Sequence, residues 1–365
     1  MAKPRARELG LAVPGRPGPN NAITDVPGVR VGYRTLDGIA ASGKRIKTGV
    51  TAILPRGLER EPQPVWAGFH ALNGNGEMTG THWIEHGGYF VGPVCITNSH
   101  SVGIVHHAAT RWTIDHYAQA WEASHLWAMP VVAETYDGVI NDINGQHVTE
   151  ADALAALADA RDGAIAEGNV GGGNGMICYG FKGGTGTASR LLEIDGQAYT
   201  LGALVQANHG QRDWLKVLGV PVGKALGEQP QGLDRERGSI IVILATDAPL
   251  LPHQLRRLAQ RAGLGIGLGG TPGGNNSGDI FLAFSVANPR PLPQLTPGGR
   301  FSLECLNDEH IDALYLAAVE STDEAILNAM LAAEDAVMQK PQGICPALDG
   351  ERLQALLEEA GRVEA

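Results

Sequence analysis

The segment Arg235-Glu236-Arg237-Gly238-Ser239-Ile240-Ile241-Val242-Ile243-Leu244 passes within one residue from a charged, turn-like run to an unbroken apolar, mostly β-branched one. Such a run reads as a buried strand, and Ser239 is its first residue. A serine there, preceded by a glycine with no side chain to shield its carbonyl, suits a nucleophile made by cutting the chain in front of it. Cleavage between Gly238 and Ser239 would leave Ser239 with a free α-amine. An α-amine has an ordinary pKa of about 7.7–8.0, so near neutrality it can act as general base on the hydroxyl of its own residue. The other reading of the same residues is an ordinary loop-to-strand boundary that carries a serine.

Just upstream, residues 198–207 read as a strand that Asn208 ends, within Gln206-Ala207-Asn208-His209-Gly210. The Asn208 amide there suits either stabilisation of an oxyanion or the capping of a turn. Just downstream, residues 252–264 have helical spacing, 265–278 form a glycine loop, and Asp279-Ile280-Phe281-Leu282-Ala283-Phe284-Ser285-Val286 is a second buried strand. Asn275-Asn276-Ser277-Gly278-Asp279 lies at the foot of that strand. A rigid scaffold displays catalytic side chains at strand ends, although this composition is also a plain turn signal.

Farther out, residues 20–32 and 49–54 open a sheet around Pro27-Gly28, and 89–97 and 129–134 read as strands with a helix over 99–117 between them. Thr149 before Glu150, Ala151 and Asp152 begins a helix with a capping box, expected to stop at Gly168. A long helix is predicted over 308–339 and a short one over 350–361. Strands in groups and helices in groups argue for α+β layers, sheet against sheet, rather than alternating βαβ units.

No Pro/Ser-rich linker or sustained charge run divides the 365 residues, so one domain over 1–365 is expected. The 50 glycines and 18% charged residues suit strands and tight turns around a substantial core. With 28 Lys+Arg against 39 Asp+Glu the formal charge is −11, which disfavours nucleic acid or an anionic membrane as partner and favours cationic or neutral ligands. Cys95, Cys178, Cys305 and Cys345 are widely spaced and form no CxxC, which suits reduced thiols in the cytoplasm. The basic N-terminal residues lead into Gly/Pro-rich sequence rather than an apolar core, unlike a signal peptide, and no apolar stretch approaches the roughly 18 residues that span a bilayer.

His82-Trp83-Ile84-Glu85-His86 matches H-x-x-E-H, which on a helix presents two zinc-ligating histidines and a glutamate base. Gly80 and Gly87-Gly88 bound it to about one and a half turns, too few for a free-standing zinc helix at about 3.6 residues per turn. A zinc peptidase built on His82, Glu85 and His86 is therefore the rival reading, with no metal or other cofactor as the expectation. Gly265-Ile266-Gly267-Leu268-Gly269-Gly270 satisfies GxGxxG but follows a helix and precedes a loop, the wrong order for a dinucleotide site. Gly171-Gly172-Gly173-Asn174-Gly175 and Gly183-Gly184-Thr185-Gly186 lack G-K-[ST], so close backbone packing explains them better than phosphate binding.

Several ordered segments together resemble the L-aminopeptidase/D-Ala-esterase-amidase family, which includes the β-peptidyl aminopeptidases. They are Asn21-Ala22-Ile23-Thr24-Asp25-Val26-Pro27-Gly28-Val29-Arg30-Val31-Gly32, Glu167-Gly168-Asn169-Val170-Gly171-Gly172-Gly173, Gly180-Phe181-Lys182-Gly183-Gly184, Gly238-Ser239-Ile240-Ile241-Val242, Ala245-Thr246-Asp247-Ala248-Pro249-Leu250 and Ser277-Gly278-Asp279-Ile280. The resemblance implies an αββα sandwich like that of N-terminal-nucleophile hydrolases but differently connected, self-cleavage at Gly238-Ser239, and a homo-oligomer, a tetramer. It assigns Ser239 as nucleophile, Asn208 and Tyr136 to the oxyanion, and Ser277 with Asp279 to the new amine. Some members carry Glu where this chain has Asp279, one methylene shorter. Glu134, two residues before Tyr136, is the candidate for a substrate ammonium. The expected activity is hydrolysis of N-terminal residues from short peptides, amides or esters with a free amine, through an acyl-enzyme on Ser239. A non-catalytic, uncleaved homologue is the third reading.

Overall fold

The computed structural model describes residues 3–233, 236 and 238–364. Arg235 and Arg237 of the opening segment lie outside the described residues. Two β-sheets face each other. One has four strands, in the order Arg30–Ile39, Arg45–Leu54, Val94–Asn98, Val131–Thr135. The other has six, in the order Tyr89–Phe90, Val65–Ala71, Ile280–Ser285, Ser239–Thr246, Gln197–Asn208, Gly184–Ile194. Helices Val102–His116 and Glu150–Ala158 cover the four-stranded sheet, and Pro252–Leu268 and Asp312–Ala332 cover the six-stranded one. The layers are those of the αββα sandwich that the family resemblance implies.

The Ser239 strand is apolar from Ile240 to Ala245 because both its faces are covered. Ile241, Ile243 and Ala245 share the inter-sheet core with Val31, Ile53, Ile96 and Ala133, whereas Ile240, Val242 and Leu244 share the other core with Leu255, Leu258 and Ala259 of the covering helix. Each such side chain contributes about 1.5–3 kcal/mol by leaving water. Gly171–Gly175 forms a buried 3-10 turn wedged against both sheets: a Cβ on Gly172 would lie 2.7 Å from Ile96 O and one on Gly173 2.2 Å from Thr185 N. Close backbone packing is thus the reason for that glycine run.

The structure corrects several expectations, among them the single strand over 89–97, which breaks at Gly92-Pro93 into Tyr89–Phe90 of the six-stranded sheet and Val94–Asn98 of the four-stranded one. Two parallel strand pairs exist, Val94–Asn98 with Val131–Thr135 and Ser239–Thr246 with Ile280–Ser285, and each is joined through a covering helix. Grouped strands therefore hide one βαβ crossover in each sheet. The helix from Pro252 runs to Leu268, so Gly265 and Gly267 are helical rather than loop residues. A Cβ on Gly265 would lie 2.7 Å from Thr322 Cβ, and its absence lets the two covering helices touch. The Thr149-capped helix ends at Ala158, where the chain turns back to pair Arg161 with Val31. The long helix spans Asp312–Ala332 and gives way to the strand Ala336–Gln339.

The N-terminal segment is held to the long helix by a buried ion cluster. Glu324, fully buried, accepts from Arg190 Nη1 at 2.7 Å, Arg7 Nε at 3.0 Å and Asn21 Nδ2 at 2.6 Å. Removing one member of such a cluster leaves a buried charge uncompensated, so Glu324→Ala is expected to lose about 3–5 kcal/mol of stability by denaturant titration.

Candidate active site

Strand register assembles the site. Antiparallel pairing sets Ser239 opposite Asn208, and parallel pairing sets Ile241 opposite Ile280, so that Asp279 comes beside Ile240. The Ile240 N–H donates to Asp279 Oδ1 at 3.2 Å. Ser239 has the same parity as Ile241 and Ile243, so it sits at the mouth of the inter-sheet space with 5% of its surface exposed. Its Oγ accepts the N–H of Gly278 at 3.0 Å.

Ser277 and Asp279 are both buried, and Ser277 Oγ donates to Asp279 Oδ1 at 2.6 Å. The shorter Asp279 side chain therefore still reaches Ser277 directly. Among the described residues Asp279 Oδ2 has no hydrogen-bond partner. Burial raises the Asp279 pKa to about 6, against the lowering effect of its bonds from Ser277 and Ile240. A buried carboxylate oxygen without a donor has its affinity for a cation or proton undiminished.

Asn208 is oriented at both ends of its amide. Oδ1 accepts the Ile177 N–H at 2.8 Å and Nδ2 donates to Tyr136 O at 2.9 Å. An amide nitrogen carries two N–H groups, so a second donor remains. It abuts the junction, since a Cβ on Gly238 would lie 3.1 Å from Asn208 Nδ2 and 1.6 Å from Asn208 O. Only glycine fits before Ser239. Tyr136 is 42% exposed and borders the cavities on either side of this junction.

One cavity, of about 540 Å³, is lined by Ser239, Tyr136, Glu134, Ser99, Asn75 and Asn276. Glu134 is buried there, with Oε1 accepting the Glu77 N–H at 3.0 Å and Oε2 accepting the Ser99 hydroxyl. Burial pushes its pKa above the usual carboxylate range, and those two hydrogen bonds oppose the shift. The structure thus brings together the residues expected of the serine hydrolase reading: Ser239, Asn208, Tyr136, Ser277, Asp279 and Glu134.

Three residues of this neighbourhood were missed. Gly278 acts through its backbone N–H, for which no residue type is a signature. Ser99 read only as the start of a helix. Glu236 read as part of a charged turn, yet it is buried, with Oε1 accepting from Gly210 N–H at 2.7 Å and Oε2 from Gly274 N–H at 3.0 Å. His82, Glu85 and His86 are exposed on the helix Thr81–Gly87, with Ile84 turned inward and Glu85 3.9 Å from Arg256. Among the described residues no three His, Cys, Asp or Glu side chains are grouped to hold a metal.

Residues 21–343 match the family described as peptidase family S58. The chain is 52% identical over 349 residues to the β-peptidyl aminopeptidase BapA of Sphingosinicella microcystinivorans, covering 91% of this chain and 86% of that protein. It superposes with a TM-score of 0.95 on the L-aminopeptidase D-Ala-esterase/amidase of Ochrobactrum anthropi, described as a prototype for the serine aminopeptidases and a new variant of the Ntn hydrolase fold, at 57% identity over 99% of this chain and 100% of that one. A β-aminopeptidase of Burkholderia sp. superposes with a TM-score of 0.87 at 47% identity, covering 98% of this chain and 99% of that one.

The Ser277 hydroxyl lowers the pKa of Asp279 by stabilising its charged form. Ser277→Ala is expected to move that pKa upward from about 6, and the carboxyl ¹³C shift of Asp279 followed against pH measures the change. An unchanged midpoint would mean that the hydroxyl does not hold the carboxylate in solution.

Proposed function

The chain belongs to peptidase family S58 and is an N-terminal-serine aminopeptidase/amidase; from that premise we propose which residues do the chemistry and how the nucleophile is made. In the uncut chain Ser239 Oγ attacks the Gly238 carbonyl. The adduct expels the Ser239 nitrogen, so the acyl group moves from nitrogen to oxygen. Water then hydrolyses the ester, leaving a carboxylate on Gly238 and a free amine and hydroxyl on Ser239. The single domain over 1–365 thereby becomes two chains in one fold.

In the cut enzyme the α-amine takes the hydroxyl proton as Oγ attacks the substrate carbonyl. Asn208 and the Tyr136 hydroxyl stabilise the oxyanion, a contribution of ~3–4 kcal/mol per donor. The protonated amine passes its proton to the leaving nitrogen, and as a base again it activates the water that clears the acyl-enzyme. Asp279, held by Ser277, orients the amine and balances its charge. The observation that carries this reading is the convergence on Ser239 of the Gly278 N–H, the Asn208 amide and a buried Asp279 carboxylate with one oxygen unpartnered. Glu134 takes the substrate ammonium.

The substrate is a peptide or amide. Assembly as a homotetramer is proposed on the family resemblance, and a cytoplasmic location on the widely spaced cysteines, which are free thiols. Among the described residues no helix is long and apolar enough to cross a membrane.

Denatured wild-type protein is expected to give two masses, Met1–Gly238 and Ser239–Ala365, whereas Ser239→Ala stays full-length and inactive. A full-length wild-type mass after prolonged incubation would sink the self-activation step. Recognition of the amine is tested separately, by comparing an aminoacyl p-nitroanilide with its N-acetyl form. Losing a charge-assisted bond costs ~1.5–3 kcal/mol, so the acetylated substrate is expected to be about tenfold to a hundredfold poorer in kcat/KM, a gap that narrows in Glu134→Gln. Equal values for the two substrates reject amine recognition, and a gap that persists in Glu134→Gln clears Glu134 of the role.

A further inference from the structure

The two cavities that flank the Gly238-Ser239 junction differ in charge. The one containing Ser239 has Glu134 as its charged group among the described lining residues. The other, about 270 Å³, is bordered by Gly238 and Asn208 and has one acid, Glu236, and one base, Lys340, among its described lining residues. Glu236 belongs to the segment just upstream of the cut. Its carboxylate fills a cradle made by the Gly210 N–H at 2.7 Å, the Gly274 N–H at 3.0 Å and the Thr271 hydroxyl at 3.3 Å. On the same wall His209 is buried, and its Nε2 has no hydrogen-bond partner among the described residues.

Three donors converging on a carboxylate make a receptor for carboxylates in general, and bonds of this charge-assisted kind are the strong ones. In the uncut chain that receptor is filled by the chain itself, tethered on both sides. Cutting at Gly238 leaves Glu236 tethered on one side only, which lowers its effective concentration at the cradle and lets a carboxylate from solution compete. With Glu236 displaced, the charged side chain left among the described lining residues is Lys340, facing the Gly238 carboxylate that the cut creates at the same border. We infer that in the cut enzyme the cradle of Gly210, Gly274 and Thr271, supported by Lys340, is a subsite for the C-terminal carboxylate of a short peptide whose amine lies at Glu134. The inference rests on the processing and amine recognition proposed above.

Reach limits the length of that peptide. Glu236 and Ser239 are three Cα steps apart, so the cradle's occupant branches from the chain within about 11 Å of the nucleophile's Cα. That span suits peptides of two to four residues with both ends free. An enzyme reading both charges would act on small zwitterionic peptides and discriminate against longer or capped ones.

The test compares alanine di-, tri- and tetrapeptides as free acids and as C-terminal amides, using wild-type enzyme whose two fragments have been verified by mass. For at least one length the free acid is expected to have a kcat/KM about tenfold above that of the amide. Thr271→Val and Lys340→Gln are each expected to bring that ratio toward one, and high salt to lower it in the wild type. Equal values for acid and amide at all three lengths, or a ratio undiminished in Thr271→Val, overturn the carboxylate subsite while leaving the processing intact. A single full-length mass in active protein overturns the processing, and this inference with it.

Discussion

The site depends on the register of one strand between two neighbours of opposite sense. The Ser239 strand runs antiparallel to the strand that ends at Asn208 and parallel to the one that begins at Ile280. One strand's end and two strands' beginnings therefore coincide at a single edge, and the Ser239 hydroxyl, the Asn208 amide and the Asp279 carboxylate meet there. A slip of one residue would turn Ser239 from the inter-sheet face to the helix face. The apolar pattern forbids that slip, because Ile241, Ile243 and Ala245 belong to one core and Ile240, Val242 and Leu244 to another. Core packing and the geometry of the candidate site are thus set by the same alternation.

The buried acids of this protein fall into two kinds. Glu324 is surrounded by Arg190, Arg7 and Asn21, so its charge is compensated and it ties the N-terminal segment to the long helix. Asp279 is buried with one oxygen unpartnered, and Glu134 is buried with neutral donors only. Burial without a countercharge costs stability and raises the pKa, and such incompletely satisfied acids mark places where a ligand or a reaction supplies the missing cation. The α-amine that the proposed cut would free on Ser239 and the ammonium of the proposed substrate are cations of that kind.

Much of this was legible in the residues, for physical reasons that also explain the gaps. The strand from Ser239 announced itself because a strand covered on both faces must be apolar throughout. Asn208 and Asp279 stood out as polar residues at strand ends. Parallel pairing was hidden, since a βαβ crossover and a pair of separate strands leave the same local pattern. The Gly265 and Gly267 positions read as loop because glycine is a poor helix former, whereas here its missing Cβ lets the helix touch Thr322. Glu236 was invisible as a buried group because its partners, Gly210 and Gly274, act through backbone N–H groups contributed by distant turns.

The order of the six-stranded sheet bears on the physical life of the molecule after a cut at Gly238. The two strands downstream of the cut, Ser239–Thr246 and Ile280–Ser285, lie side by side in the centre, with upstream strands on either side. The four-stranded sheet lies wholly upstream of the cut, but the six-stranded sheet is shared, and neither piece holds it alone. Separation of the pieces would open two strand boundaries and both apolar cores at once, so they stay together by a high barrier rather than by a reversible affinity. Refolding, unimolecular for the intact chain, would become a second-order encounter between two incomplete partners. The molecule would fold once as a single chain and then give up the route by which it folded.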